Sequence, residues 1–170
     1  MENNLNYKII DNFLPKEDFE KLKTLLFSGD FPWFYVESLT TNEQGQGTDE
    51  GFFQHSLYNR SRPTSDFYYE YAYPILKKLN SMAVIQIRAN LLLNKEKQYF
   101  SGFHIDNNFK CKTAVLYINT CNGYTILDPE LKLKIKCEEN KMLIFDSNIQ
   151  HSIASQTDVK RRIVLNFNYF

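Results

Sequence analysis

The spacing of hydrophobic positions changes partway along the chain. Near the start it is helical: Phe19, Leu22, Leu25 and Leu26 follow Pro15-Lys16-Glu17-Asp18, and Ser28-Gly29 closes the run. Proline in the first turn, acidic residues beside it and a terminal glycine mark an amphipathic helix. The spacing predicts a second helix from about Ser65 to Asn80, kinked or divided at Pro74, which has no amide to donate. Between the two, Phe31 to Leu39 is aromatic enough for a strand. Thr40 to Gly51 is polar, carries Gly45, Gly47 and Gly51 and has no period, so it reads as a mobile loop placed to act as a substrate lid.

From Ala83 onward the runs are short, apolar or alternating: Ala83–Leu93, Thr113–Asn119, Tyr124–Leu127, Leu131–Lys136, Met142–Phe145, Ile149–Ala154 and Ile163–Phe170. Turn-forming groups separate them, among them Asp106-Asn107-Asn108, Asn122-Gly123, Asp128-Pro129 and Asp146-Ser147-Asn148. Many short strands at close spacing predict an antiparallel sandwich or barrel, and helices ahead of them predict a helical layer on one face. The fold class expected is therefore mainly β with N-terminal helices (α+β). In Leu131-Lys132-Leu133-Lys134-Ile135-Lys136 the lysines share one face, which reads as a soluble strand face or edge and not as a phosphate-binding stripe.

At 170 residues the chain has the size of one domain. Residues 1–80 are expected to give helical and loop support and 81–170 the sandwich. A composition 43% hydrophobic and 15% aromatic excludes a disordered chain, and twenty basic residues balance twenty acidic ones. Neutral net charge gives no electrostatic case for nucleic acid or an anionic membrane. Cys111, Cys121 and Cys137 show no framework spacing and read as reduced thiols. MENNLNYKII lacks the pattern of a secretory leader and no apolar run approaches a membrane span, so a cytoplasmic protein is expected.

Chemistry concentrates around two of the three histidines. In Gly102-Phe103-His104-Ile105-Asp106, positions two apart on a strand share a face, so His104 and Asp106 would point together into the sandwich. His151 lies in a strand of its own and joins them if the sheet folds back. Two imidazoles and one carboxylate leave coordination positions open, the arrangement that suits non-haem Fe(II). Arg161-Arg162 then opens the last strand. A guanidinium on the inner face of a sandwich needs a carboxylate, which a structural ion pair or a dicarboxylic co-substrate could supply. His55 reads as a surface or lid residue, Phe67-Tyr68-Tyr69-Glu70-Tyr71 as helix packing, and Trp33 as a core or rim residue.

These motifs stand in a familiar order. I-R-A-N-L, G-F-H-I-D, T-A-V-L-Y-I-N-T-C-N-G-Y-T, L-I-F-D-S-N-I-Q-H and T-D-V-K-R-R-I-V-L-N-F-N-Y-F, spanning Arg88 to Phe170, resemble the 2-oxoglutarate/Fe(II) dioxygenases. The nearest likeness is to the prolyl-hydroxylase-like branch and its small phage-encoded members. The resemblance implies a double-stranded β-helix, a jelly-roll or cupin-like sandwich. It implies an iron triad of His104, Asp106 and His151. It also implies an arginine for the far carboxylate of 2-oxoglutarate, Arg162 favoured on its inward phase with Arg161 open, helped by Tyr117 and by Asn90. Where relatives often carry a tyrosine shortly after the Asn90 position, this chain has Leu91-Leu92-Leu93.

The activity implied is hydroxylation of a substrate C–H with Fe(II), 2-oxoglutarate and O2, ascorbate serving as reductant. The substrate favoured is a prolyl or other protein side chain. The alternatives are a nucleic-acid base or small metabolite as substrate, or a non-enzymatic jelly-roll binding module with a structural metal.

Overall fold

The computed structural model describes residues 6–38 and 51–170. Its elements run β1 (Tyr7–Ile10), α1 (Lys16–Phe27), β2 (Phe34–Val36), β3 (Phe52–Asn59), β4 (Arg62–Pro63), a π-helical turn (Tyr68–Ala72), α2 (Tyr73–Lys78) and β5 (Val84–Leu93). They continue with β6 (Lys112–Tyr117), β7 (Tyr124–Leu127), β8 (Leu133–Lys136), β9 (Lys141–Asp146), β10 (His151–Ala154) and β11 (Arg161–Tyr169).

Two antiparallel sheets face each other. The larger has the order β1-β9-β6-β11-β5-β3-β2, with β4 on β3, and the smaller is β10-β7-β8. An extended segment completes the smaller one at its β10 edge through bridges at Phe100–Ala154 and His104–His151. The architecture is the jelly-roll sandwich expected, with its two helices on one side.

Period-2 alternation sorts the large sheet into two cores. Ile163, Leu165 and Phe167 of β11, with Ala114 and Leu116 of β6, pack against Phe19, Leu22 and Leu26 of α1 and Ile75 and Leu76 of α2. The opposite face offers Val164, Val115, Leu143 and Phe145 to Leu127 and Ile135 of the small sheet. A one-residue slip of β11 would bury its polar residues under the helices, so burial pins the register. In β8, Ile135 is buried while Lys134 and Lys136 are exposed, as the lysine alternation predicts.

Three features depart from the sequence reading. Residues 1–80 are not only helix and loop, because β1 pairs with β9 and β3 with β5 in the large sheet. The second helix is divided beside Pro74, as expected, but its first part is a π-turn and not an α-helix, with Pro74 in the first turn of α2. A proline removes one donor and crowds the preceding turn, and widening that turn accommodates it. The third departure is at Gly102–Asp106, which is an irregular extended segment bridging at His104 and not a regular strand. The loop predicted over Thr40 to Gly51 lies, apart from Gly51, outside the described residues. No helix among the described residues is long and apolar enough to cross a membrane.

Candidate active site

Three elements converge between the sheets. The backbone exchange His104 N to His151 O (3.0 Å) and His151 N to His104 O (2.9 Å) locks the Gly102–Asp106 segment against β10. That pairing sets the two imidazoles 4.3 Å apart, centroid to centroid. Asp106 N donates to Ser147 O at 3.1 Å, which turns its side chain inward. One ligand atom each from His104, Asp106 and His151 lies within 4.8 Å of the others.

The outer contacts leave the inward atoms ready for a metal. His151 Nδ1 meets Ile149 O at 3.1 Å and His104 Nδ1 meets Gly102 O at 3.3 Å. A carbonyl only accepts, so each Nδ1 carries the proton and each Nε2 keeps its lone pair. On Asp106, Oδ2 accepts from Thr113 Oγ1 (2.7 Å) and Asn168 Nδ2 (2.9 Å), while Oδ1 points to His151 Nε2 at 3.8 Å. Burial pushes the His151 pKa down to about 4, against the attraction of Asp106, so the ring is neutral near pH 7 and its Nε2 is free to bind a metal. Burial alone would raise the Asp106 pKa. The imidazole of His151, the two hydrogen bonds and the charge of Arg88 outweigh it and hold the carboxyl below its ordinary value.

The same cavity has a cationic far end. Arg162 on β11 faces it, 1% exposed. Its Nη atoms reach Ala154 O at 3.4 Å and Thr125 Oγ1 at 3.5 Å, and its buried Nε has no partner among the described residues. The thiol of Cys137 lies beside the guanidinium, and among the described residues no carboxylate comes within 4 Å of it. Tyr117 is fully buried, lies under the guanidinium (5.9 Å from ring centre) and donates to Thr125 Oγ1 at 2.7 Å. Burial raises the phenol's pKa, so it stays a donor. A buried guanidinium short of an anion, beside neutral hydroxyls, suits the free carboxylate of a dicarboxylic ligand chelated at the triad.

Of the residues singled out in the sequence, His104, Asp106, His151, Asn90 and Arg162 line this cavity. Asn90 Oδ1 accepts from Gln54 Nε2 at 3.3 Å. Tyr117 reaches the cavity only through Thr125, which lines it. Arg161 is separated from all of these. It points to the helical side, its guanidinium 4.7 Å from the Phe27 ring centre and its Nη1 3.4 Å from Phe27 O. His55 is buried and not on the surface, tied to Pro32 O (2.9 Å) and Ser65 Oγ (2.7 Å) away from the triad. Sequence reasoning passed over Thr113 and Thr125, although both sit on the inward phase of their strands. It also assigned no role to Arg88, which shares the inner face of β5 with Asn90.

No family model matches the chain, and no curated protein matches it. Solved structures do. An oxidoreductase of the 2OG-Fe(II) oxygenase family from Burkholderia pseudomallei superposes with a TM-score of 0.71 at 12% identity, over 96% of this chain and 84% of that one. A prolyl hydroxylase from Trichoplax adhaerens, in complex with a hypoxia inducible factor oxygen degradation domain peptide fragment, gives 0.65 at 18% identity over 99% and 84%. The non-heme alpha ketoglutarate dependent epimerase SnoN from nogalamycin biosynthesis gives 0.65 at 12% over 98% and 78%. At these identities the shared property is the fold: this chain has the jelly roll found in 2-oxoglutarate/Fe(II) oxygenases, prolyl hydroxylases among them.

Proposed function

We propose that the protein is an Fe(II)- and 2-oxoglutarate-dependent dioxygenase that hydroxylates a C–H bond of a second substrate. One observation carries this reading: a single cavity has a His-Asp-His ligand set at one end and a buried arginine without a carboxylate partner at the other. A structural metal site would need no such arginine, and a plain anion site would need no triad. Iron with 2-oxoglutarate and O2 supplies the oxidising chemistry, converting the keto acid to succinate and CO2, with ascorbate keeping the metal reduced.

The chain supplies geometry. His104, Asp106 and His151 hold the metal on one face, their rotamers fixed by Gly102 O, Ile149 O, Thr113 and Asn168. Arg162 takes the far carboxylate, with the Thr125 hydroxyl as a neighbouring donor that Tyr117 orients by donating to its Oγ1. Holding a flexible dicarboxylate at both ends orients it before reaction. Asn90 and Gln54 line the wall between. The likeness to prolyl hydroxylases supports a prolyl or other protein side chain as substrate, and the apolar Phe103 and Ile105 beside the triad offer a surface for it.

The test is succinate formation from 2-oxoglutarate with Fe(II) and ascorbate, beside titration of 2-oxoglutarate into protein loaded with redox-silent Mn(II). Slow succinate release abolished by His104→Ala, with metal-dependent 2-oxoglutarate binding lost in Arg162→Ala, is the expected outcome. Failure of the Mn(II)-loaded wild type to bind 2-oxoglutarate would remove the proposal.

A further inference from the structure

The cavity holds a second guanidinium that the reading above does not use. Arg88, on the inner face of β5, lines it beside Asp106, and its buried Nε has no hydrogen-bond partner. Among the described residues no carboxylate lies within ion-pair distance of it. Its one attractive charge is Asp106, whose oxygens are committed to Thr113, Asn168 and the triad. Directly across on β11 stands Asn166, whose Oδ1 is buried and also without a partner. Arg88 therefore heads a polar pocket that the protein leaves incomplete.

We propose that Arg88 anchors a carboxylate carried by the prime substrate on the same residue or small molecule that is oxidised. The proposal rests on the dioxygenase reading. Charge favours it: among the described residues Asp106 is the one acidic side chain lining the cavity, against two arginines. A divalent metal and 2-oxoglutarate cancel each other, so one positive charge remains for the substrate to neutralise. 2-Oxoglutarate cannot serve both arginines, because its keto-acid end is spent at the metal and its other carboxylate at Arg162. Arg88 lines the same cavity as His104, Asp106 and His151, so the anion it holds sits close to the carbon presented to the metal. An acidic side chain, a chain-terminal residue (proline included) or a free amino acid meets that demand.

The test uses the full chain loaded with Mn(II) and followed by calorimetry, first with 2-oxoglutarate and then with acetate or its neutral isostere acetamide. Expected is 2-oxoglutarate affinity within about threefold of wild type in Arg88→Gln, in contrast to Arg162→Gln. Acetate then binds the wild-type 2-oxoglutarate complex saturably and acetamide does not. Arg88→Gln weakens acetate by about tenfold or more, as loss of a charge-assisted pair requires, and Arg88→Lys retains part of the affinity. Arg88→Met gives the same comparison should the glutamine variant fail to fold. Loss of 2-oxoglutarate affinity in Arg88→Gln matching that of Arg162→Gln would make Arg88 a co-substrate contact and overturn the assignment. So would acetate binding that is absent from the wild-type complex or undiminished in Arg88→Gln. Absence of 2-oxoglutarate binding to wild type is a different failure, which falls on the dioxygenase reading itself.

Discussion

Arg162→Met should stabilise the ligand-free protein while it destroys co-substrate binding. Arg162 is 1% exposed, its Nε is unpaired, and its two Nη contacts are at 3.4 and 3.5 Å, at the edge of hydrogen bonding. Holding a desolvated cation with so little compensation costs several kcal/mol, and replacing such groups with well-packed apolar side chains gains about 1–4 kcal/mol. Methionine keeps most of the stem. For a domain of this length each kcal/mol moves Tm by about 2–4 °C, so the apo variant should melt roughly 2–16 °C above wild type. The binding change has the opposite sign. Two charge-assisted bonds to a carboxylate, at about 1.5–3 kcal/mol each, correspond to a loss of about 10²–10⁴ in 2-oxoglutarate affinity. Thermal melts with Mn(II), with and without 2-oxoglutarate, read both effects at once. Wild type gains about 2.7 kcal/mol at a ligand concentration one hundred times Kd, and the variant gains nothing. An apo variant that melts well below wild type would show that the guanidinium is satisfied inside the fold. A variant still stabilised by 2-oxoglutarate would refute Arg162 as the anchor.

Three further outcomes follow from the same geometry. A Cβ at Gly123 would stand 2.9 Å from Ala154 O and 3.3 Å from Arg162 Cδ, so Gly123→Ala should cost about 1–3 kcal/mol and weaken 2-oxoglutarate binding by displacing the arginine; unchanged affinity by calorimetry would mean the arginine does not move. Thr113→Val removes the 2.7 Å bond to Asp106 Oδ2 and should lower Mn(II) affinity about 10–100-fold with the fold intact by circular dichroism, whereas wild-type affinity would show that Asn168 alone suffices. Burial lowers the His55 pKa below its ordinary 6.5, against the bond to Pro32, so the unfolded chain takes up a proton there before the native one does. Its contribution is complete above about pH 6.5 and is lost as pH falls through the folded value, so His55→Gln should flatten the denaturation midpoint between pH 7 and 5; an unchanged slope would rule this out.

Where local pattern and tertiary demand coincide, the fold was legible in the sequence. β11 alternates because one face meets helices and the other the cavity, so Ile163, Leu165 and Phe167 separate from Arg162, Asn166 and Asn168 by phase alone. β1 was missed because its four residues form an edge strand with mostly exposed side chains, and β9 supplies the pairing that defines it. β3 was missed for a related reason. Phe52 and His55 are both buried at a spacing of three, and a register shift between Ser56 and Tyr58 breaks the alternation that marks a strand. Nothing local can report a neighbour in β5 more than thirty residues away.

The candidate site divides along the same line. His104 and Asp106 sit two apart and could be paired on paper, yet the segment that carries them is not a regular strand. They converge because His104 exchanges backbone bonds with His151 and because Ser147 O holds the Asp106 amide. The two side chains therefore come together for a reason other than strand geometry. Arg161 and Arg162 differ only in phase, and burial separates them fully, one over Phe27 and the other in the cavity. Arg88 was invisible as a functional residue because an arginine on a strand is ordinarily a surface group. Only an Nε without a hydrogen-bond partner among the described residues, in a cavity already holding Arg162, gives it meaning, and such an absence exists only once the chain has folded.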